Sequence, residues 1–279
     1  MEPELLRRSL AGFSSRSLEE RGAWYGPAAE AYARGRPAYD PALIAQVVAA
    51  AGLTASSRVL ELGCGPGTAT AALAPLGCSL LALEPNPAFC ALASQRCRSF
   101  SNVTIEPLAF ETWPLQAAAF DAVLAASSFH WIEPAVACAK AAAALRPGGA
   151  LILLWNKELQ PSEAFHQHSA PLYAELAPQL YRREDRTTQV AILNALEAVL
   201  IDPQLFSPPL SGLVDSRFSF SAERYLDLLA SYSGYLQLTP KVRSLLLERL
   251  HLLIESEWDG QLSLTLLSGW QVAHKIDGS

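Results

Sequence analysis

Between residues 58 and 155, short and almost wholly apolar runs alternate with alanine-rich stretches, and this rhythm leaves few architectures open. Runs 59–62, 80–83, 103–105, 122–126 and 151–155 lack the polar face of a half-exposed strand. They read instead as strands of a parallel sheet covered on both sides. Residues 68–74, 88–96 and 135–145 have helix composition, with Pro87 suited to a first turn. Pro147, Gly148 and Gly149 stop the third of these and turn the chain into the next strand. Strand and helix alternating at this pace build βαβ units. The expected fold class is therefore α/β, a doubly wound, mostly parallel seven-stranded sheet.

After Asn156 the rhythm changes. Residues 157–212 hold helical pieces, several prolines and no clear strand, and are expected to form a helical insertion over the ligand crevice. A strand at 213–220 and a helix from Ser221 follow. A longer helix opens at Thr239-Pro240 and carries an apolar stripe at Leu245, Leu246, Leu250 and Leu253. Leu262, Leu264 and Leu266 alternate with Ser263 and Thr265 as a last strand. The expected organisation is one domain over 1–279, with a helical cap at 1–52, a ligand-binding core at 53–156, the insertion at 157–212, and C-terminal strands and helices at 213–279.

The 279 residues carry a formal net charge of −6 and no basic run, which argues against a grip on nucleic acid. The uncharged stretch 62–83 carries Gly63, Gly65, Pro66, Gly67, Pro75 and Gly77, which does not suit a membrane span. Acidic residues near the N-terminus do not suit a targeting peptide, so a cytoplasmic protein is expected. The five cysteines show no paired metal spacing; they read as reduced thiols, and no metal is expected.

The residues that carry chemistry begin at Val59-Leu60-Glu61-Leu62-Gly63-Cys64-Gly65-Pro66-Gly67-Thr68. A buried strand runs into three alternating glycines and then a helix, so the backbone turns sharply and approaches a ligand closely. Glu84, about twenty residues on at the end of the second strand, stands where a ribose diol can be held. A dinucleotide fingerprint would put its third glycine at position 68, which is Thr68, and that departure counts against a nicotinamide or flavin cofactor.

This segment resembles the first motif of class I S-adenosylmethionine-dependent methyltransferases, within the branch of small-molecule methylases that includes trans-aconitate methyltransferase. Tyr32-Ala33-Arg34-Gly35-Arg36-Pro37-Ala38-Tyr39 resembles the segment preceding the first strand in that branch. Ala109-Phe110-Glu111-Thr112-Trp113-Pro114-Leu115 resembles its adenine loop, and Ser127-Ser128-Phe129-His130-Trp131-Ile132 the motif after the fourth strand. Leu145-Arg146-Pro147-Gly148-Gly149 resembles the turn before the fifth.

The resemblance implies a Rossmann-like methyltransferase fold with S-adenosylmethionine as cofactor. By that likeness Glu61, Gly63, Cys64, Gly65 and Gly67 cradle the methionine half, and Glu84 with Pro85 holds the ribose. Phe110 offers its backbone N–H to adenine, with Glu111 beside it in place of the acid that many relatives carry where Ala109 stands. Tyr32, Arg36 and Ser127 complete the cofactor contacts, Tyr32 and Arg36 from a segment folded over the cofactor. Tyr39, Phe129, His130 and Trp131 edge the acceptor site, with His130 as a base or a positioning group. The fourth-strand motif lacks the Asn or Asp with two prolines that grasps a base amino group. The expected activity is O-methylation of a small organic acid, or C- or O-methylation of a quinone-like metabolite, by a monomer or homodimer without nucleic-acid or membrane partners. A non-catalytic cofactor-binding protein of regulation or assembly is the alternative.

Overall fold

Leucine, valine and alanine side chains with no exposure decide the centre of the molecule. The computed structural model describes residues 3–276. Helices α1 (Pro3–Ser14), α2 (Leu18–Ala23), α3 (Ala29–Gly35) and α4 (Pro41–Ala50) precede the first strand. Then β1 (Arg58–Leu62), α5 (Thr68–Leu73), β2 (Ser79–Leu83), α6 (Pro87–Cys97), β3 (Val103–Glu106), β4 (Phe120–Ala126), α7 (Pro134–Ala144) and β5 (Leu145–Asn156) follow. The remainder is β6 (Gln160–Pro161), α8 (Glu163–Leu176), α9 (Arg186–Leu200), β7 (Leu210–Ser221), α10 (Ala222–Ala230), α11 (Ser233–Leu236), α12 (Pro240–Trp258) and β8 (Gln261–His274).

The strands run β3-β2-β1-β4-β5-β8-β6, with β7 also paired to β8. The first five are parallel; β8 is antiparallel to β5, and β6 and β7 are antiparallel to β8. The chain thus has the mixed α/β architecture expected, with the two-residue β6 as an eighth strand beyond the seven. Leu60, Leu62 and Val123 pack under α7 and α9 on one face, and Val59, Leu80 and Ile152 under α4 and α5 on the other. Each such side chain contributes about 1.5–3 kcal/mol on burial. A third cluster, around Phe165, Tyr225, Leu246 and Ile254, ties α8, α10 and α12 to the first half of β8.

Several strands outrun their expected bounds, β5 and β8 furthest. β5 begins at Leu145, which pairs with Phe120, and an irregularity between Phe120 and Ala122 absorbs the turn in which Gly148 adopts φ +69°. β8 alternates buried and exposed only up to Leu266, then is buried on both faces to Ala273, because β5 and β7 flank it and α4 and α9 cover it. Alternation therefore revealed only its first half. The five cysteines are free thiols. Among the described residues no helix is long and apolar enough to cross a membrane.

α3 is held against α10 by a close backbone approach at Gly35. A Cβ there would lie 2.4 Å from the Leu228 nitrogen and 2.6 Å from its Cα. Arg34 reinforces the contact with two bonds to Asp227, at 2.7 and 3.1 Å. Gly35→Ala is therefore expected to lower stability by about 2 kcal/mol or more, because the clashing atoms are helix backbone and cannot swing aside. Urea denaturation measures this; a loss under about 0.5 kcal/mol would show that α3 and α10 separate freely.

Candidate active site

Parallel strands end in one row, and a ligand crevice opens beyond their carboxyl ends. Here the ends of β1, β2, β4 and β5 open onto a cavity of about 290 Å³, near the lower bound for a small-molecule site. Gly63, Cys64 and Gly65 from the β1 end, Glu84 and Pro85 from β2, Ser127 from β4 and Asn156 from β5 all line it.

The three glycines have left-handed φ of +63°, +55° and +76°, a region costly for side-chain-bearing residues. Their surroundings differ. A Cβ on Gly63 would press on the Ser128 Cβ at 2.9 Å, and one on Gly67 on Ala93 at 3.1 Å, whereas one on Gly65 meets nothing within 4 Å. Gly65 therefore presents bare backbone to open space. Glu84 accepts the Gly65 N–H and the Asn86 N–H, each at 2.8 Å, one on each carboxylate oxygen. Burial raises its pKa while the two N–H bonds pull it down, and lone pairs remain on both oxygens for a further donor.

The roof over the cavity comes from the N-terminal segment: Leu18, Arg21, Tyr25, Tyr32, Arg36, Pro37 and Tyr39. Tyr25, Tyr32 and Phe89 pack edge to face or tilted, 5.2 to 6.0 Å apart. Arg36 lies between the rings of Tyr32 and Tyr232, 4.8 and 4.3 Å from their centroids. It donates to the Ser231 hydroxyl at 3.0 Å, and among the described residues no carboxylate pairs with it. Arg21 forms an ion pair with Glu111 at 2.6 Å and donates to the Trp131 carbonyl. The Tyr39 hydroxyl shares a hydrogen bond with Ser127, and burial raises its pKa. The cover expected from residues 157–212 is thus corrected: α8 packs on α12 and α9 on α1 and α7, and only Lys157 and Leu159 of that stretch reach the cavity.

Ser127 has φ +55°, a strained value for a non-glycine residue that re-aims the chain as it leaves β4. The short helical turn Phe129–Trp131 follows. His130 lines the cavity among Phe13, Trp131 and Trp155, with ring centroids 5.2, 5.8 and 5.8 Å away. Its Nδ1 is buried and without a partner, and burial lowers the pKa to about 4. The imidazole is consequently neutral at physiological pH. On the β5 side, Ser268 donates to Asn156 at 2.6 Å, and Lys157 pairs with Glu184 at 2.9 Å.

Three residues expected at the site stand behind its wall. Phe129 is fully buried in the core beneath the turn, because the helical turn points it inward while it turns His130 outward. Gly67 caps α5 and packs on α6. Glu61 is fully buried, taking a 2.6 Å hydrogen bond from Thr70, with its second oxygen unpartnered. Other wall residues escaped the sequence reading. Arg21 and Tyr25 belong to no motif, and Phe89 and Lys157 look like ordinary helix and loop positions. Only their meeting in space marks them.

Residues 60–153 match the family model described as a methyltransferase domain. An uncharacterized methyltransferase of Mycobacterium tuberculosis (strain ATCC 25618 / H37Rv) is 40% identical over 132 residues, 47% of this chain and 51% of that protein. A demethylmenaquinone methyltransferase of Tropheryma whipplei (strain Twist) is 31% identical over 104 residues, 37% of this chain and 43% of that one. The chain thus spans about half the length of the curated relatives it matches, or somewhat less. A solved structure from Anaeromyxobacter dehalogenans, provisionally assigned as a type II methyltransferase, shares the fold with a TM-score of 0.65. It is 20% identical and covers 85% of this chain and 97% of its own.

Proposed function

We infer that the chain is a class I S-adenosylmethionine-dependent methyltransferase, a reading supported by the match over residues 60–153, and that its cavity binds this cofactor beside a small acceptor. One observation carries the reading. Gly65 turns bare left-handed backbone to open space while Glu84, bonded to it, keeps lone pairs free at the same wall.

The residues present fit the cofactor. Gly63, Cys64 and Gly65 would border its methionine half, Glu84 its ribose diol, and the turn at Phe110 and Glu111 its base. Arg36, a half-buried guanidinium without a counter-ion, suits a ligand carboxylate. When bound, S-adenosylmethionine supplies a methyl group on a sulfonium. The protein's task is then to align the acceptor and exclude water, and alignment alone is worth roughly 7–11 kcal/mol in the best intramolecular cases. The aromatic roof of Tyr25, Tyr32 and Trp131 performs the exclusion.

His130 favours one acceptor class. With a pKa near 4 it is a weak base at neutral pH, suited to holding an acceptor or a water by a hydrogen bond. An ionised carboxylate needs no base, so O-methylation of a small organic acid is the first reading. C- or O-methylation of a quinol-like ring is the second, favoured by the aromatic wall and by the demethylmenaquinone methyltransferase relative. In either case the reading is of a cytoplasmic monomer or homodimer acting on small molecules rather than nucleic acid.

Calorimetry with S-adenosylhomocysteine tests the binding, and transfer of labelled methyl to panels of carboxylic acids and phenols tests the chemistry. Binding without transfer to any acceptor would favour a regulatory or assembly protein. His130→Ala is expected to lower turnover at least tenfold and cofactor affinity less than threefold; the reverse pattern would assign His130 to the cofactor. Turnover of the wild type is expected to show no histidine titration between pH 6 and 8, since His130 stays neutral throughout.

A further inference from the structure

Lys140 stands on α7, outside the cavity wall, and the activity proposed above makes no use of it. Its Nζ donates to three carbonyls of one turn: Phe110 at 2.7 Å, Glu111 at 3.0 Å and Trp113 at 2.6 Å. An ammonium has three donors, and all are spent on these oxygens. Its charge lies 5.2 Å from the Phe110 ring centroid and 5.8 Å from that of Trp113, and those two rings stack on each other. Among the described residues it forms no ion pair. A half-buried lysine that makes no ion pair and gathers the carbonyls of a loop at the cavity gives up part of its solvation to do so.

The geometry of the peptide bond says what it accomplishes. In a planar trans peptide the N–H points opposite to the C=O. Holding the Phe110 carbonyl on Lys140 therefore aims the Glu111 N–H the other way, on the side where Ala109, Phe110 and Glu111 line the cavity. The Ala109 carbonyl accepts from the Thr112 and Trp113 N–H groups at 3.1 and 3.0 Å, which turns the Phe110 N–H outward in the same manner. Among the described residues neither the Phe110 nor the Glu111 N–H has an intramolecular acceptor.

We propose that Lys140 is a positioning residue for base recognition: by collecting three carbonyls of the 110–113 turn it presents the Phe110 and Glu111 N–H groups to acceptor nitrogens of a purine. The proposal rests on the cofactor reading of the cavity. A donor pair fixed in this way distinguishes adenine, whose N1 is an acceptor, from hypoxanthine, whose N1 carries a hydrogen. The selectivity comes from an ammonium that touches neither base.

The test measures affinity for S-adenosylhomocysteine and S-inosylhomocysteine by calorimetry, with thermal melting alongside. Lys140→Met keeps the aliphatic packing and removes the donors. We expect it to bind the adenosyl compound about tenfold more weakly, with the adenosyl-over-inosyl preference falling by a similar factor. A lysine with only a structural role would lower the melting temperature and leave the preference unchanged, and that result overturns the proposal. If Lys140→Met does not fold, Lys140→Arg carries the same question, because a planar fork cannot converge on three carbonyls; an undiminished preference there also overturns it. Failure of the wild type to bind either compound instead removes the cofactor reading.

Discussion

Gly65→Val is expected to weaken S-adenosylhomocysteine binding at least 100-fold, roughly 3 kcal/mol, while leaving the fold intact. Two effects act together. At φ +55° a β-branched residue is strained by about 1–2 kcal/mol, and its side chain would project into space that no protein atom claims within 4 Å. Domains hold about 5–15 kcal/mol in reserve, so the strain alone does not unfold the protein. The fall in affinity comes from filling the cofactor's place. Calorimetry reads it directly; affinity within threefold of wild type would remove the glycine loop from the site.

The second large effect concerns Glu61, whose position in the sequence suggests ligand contact and whose position in the structure is interior. Burial, with a smaller push from Glu84 and against the Thr70 hydrogen bond, raises its pKa from 4.5 to about 7. A carboxyl raised on folding stabilises the native state while protonated. In relative terms that advantage is full below about pH 4.5 and is lost as pH rises through about 7. Glu61→Gln removes the titration. Relative to wild type, the variant should therefore gain about 2–3 kcal/mol of stability between pH 5 and pH 8. Its sign at pH 5 depends on how the amide satisfies its second donor. Urea denaturation at both values checks the difference, and a pH-independent difference would show that Glu61 is ionised throughout.

Much of the core was legible because its signals are local. The strand–glycine–helix at 59–68 and the apolar runs of the parallel strands need no distant partner to be read. Legibility stopped where a residue's role depends on what lies against it. Gly65 and Gly67 look alike in sequence, yet one faces open space and the other packs on Ala93. Phe129 and His130 are neighbours, and only the helical turn sends one inward and the other to the cavity. Two stretches are expected over the cavity, the segment at 32–39 by resemblance and residues 157–212 by order alone; the N-terminal segment supplies the roof, through α3 docked on α10 at Gly35. Lys140 reads as one polar residue in an alanine helix until three carbonyls from thirty residues upstream converge on it.

The place of β8 has a consequence for synthesis on the ribosome. Asn156 and Lys157 at the cavity wall are fixed by Ser268 and by the Leu267 carbonyl, residues made more than a hundred positions later. A nascent chain can wind β1 to β5 into βαβ units as they emerge, but the β5 side of the crevice has no scaffold until β8 arrives between β5 and β7. Ligand binding by stalled chains of increasing length should therefore switch on late, after residue 268 clears the exit tunnel.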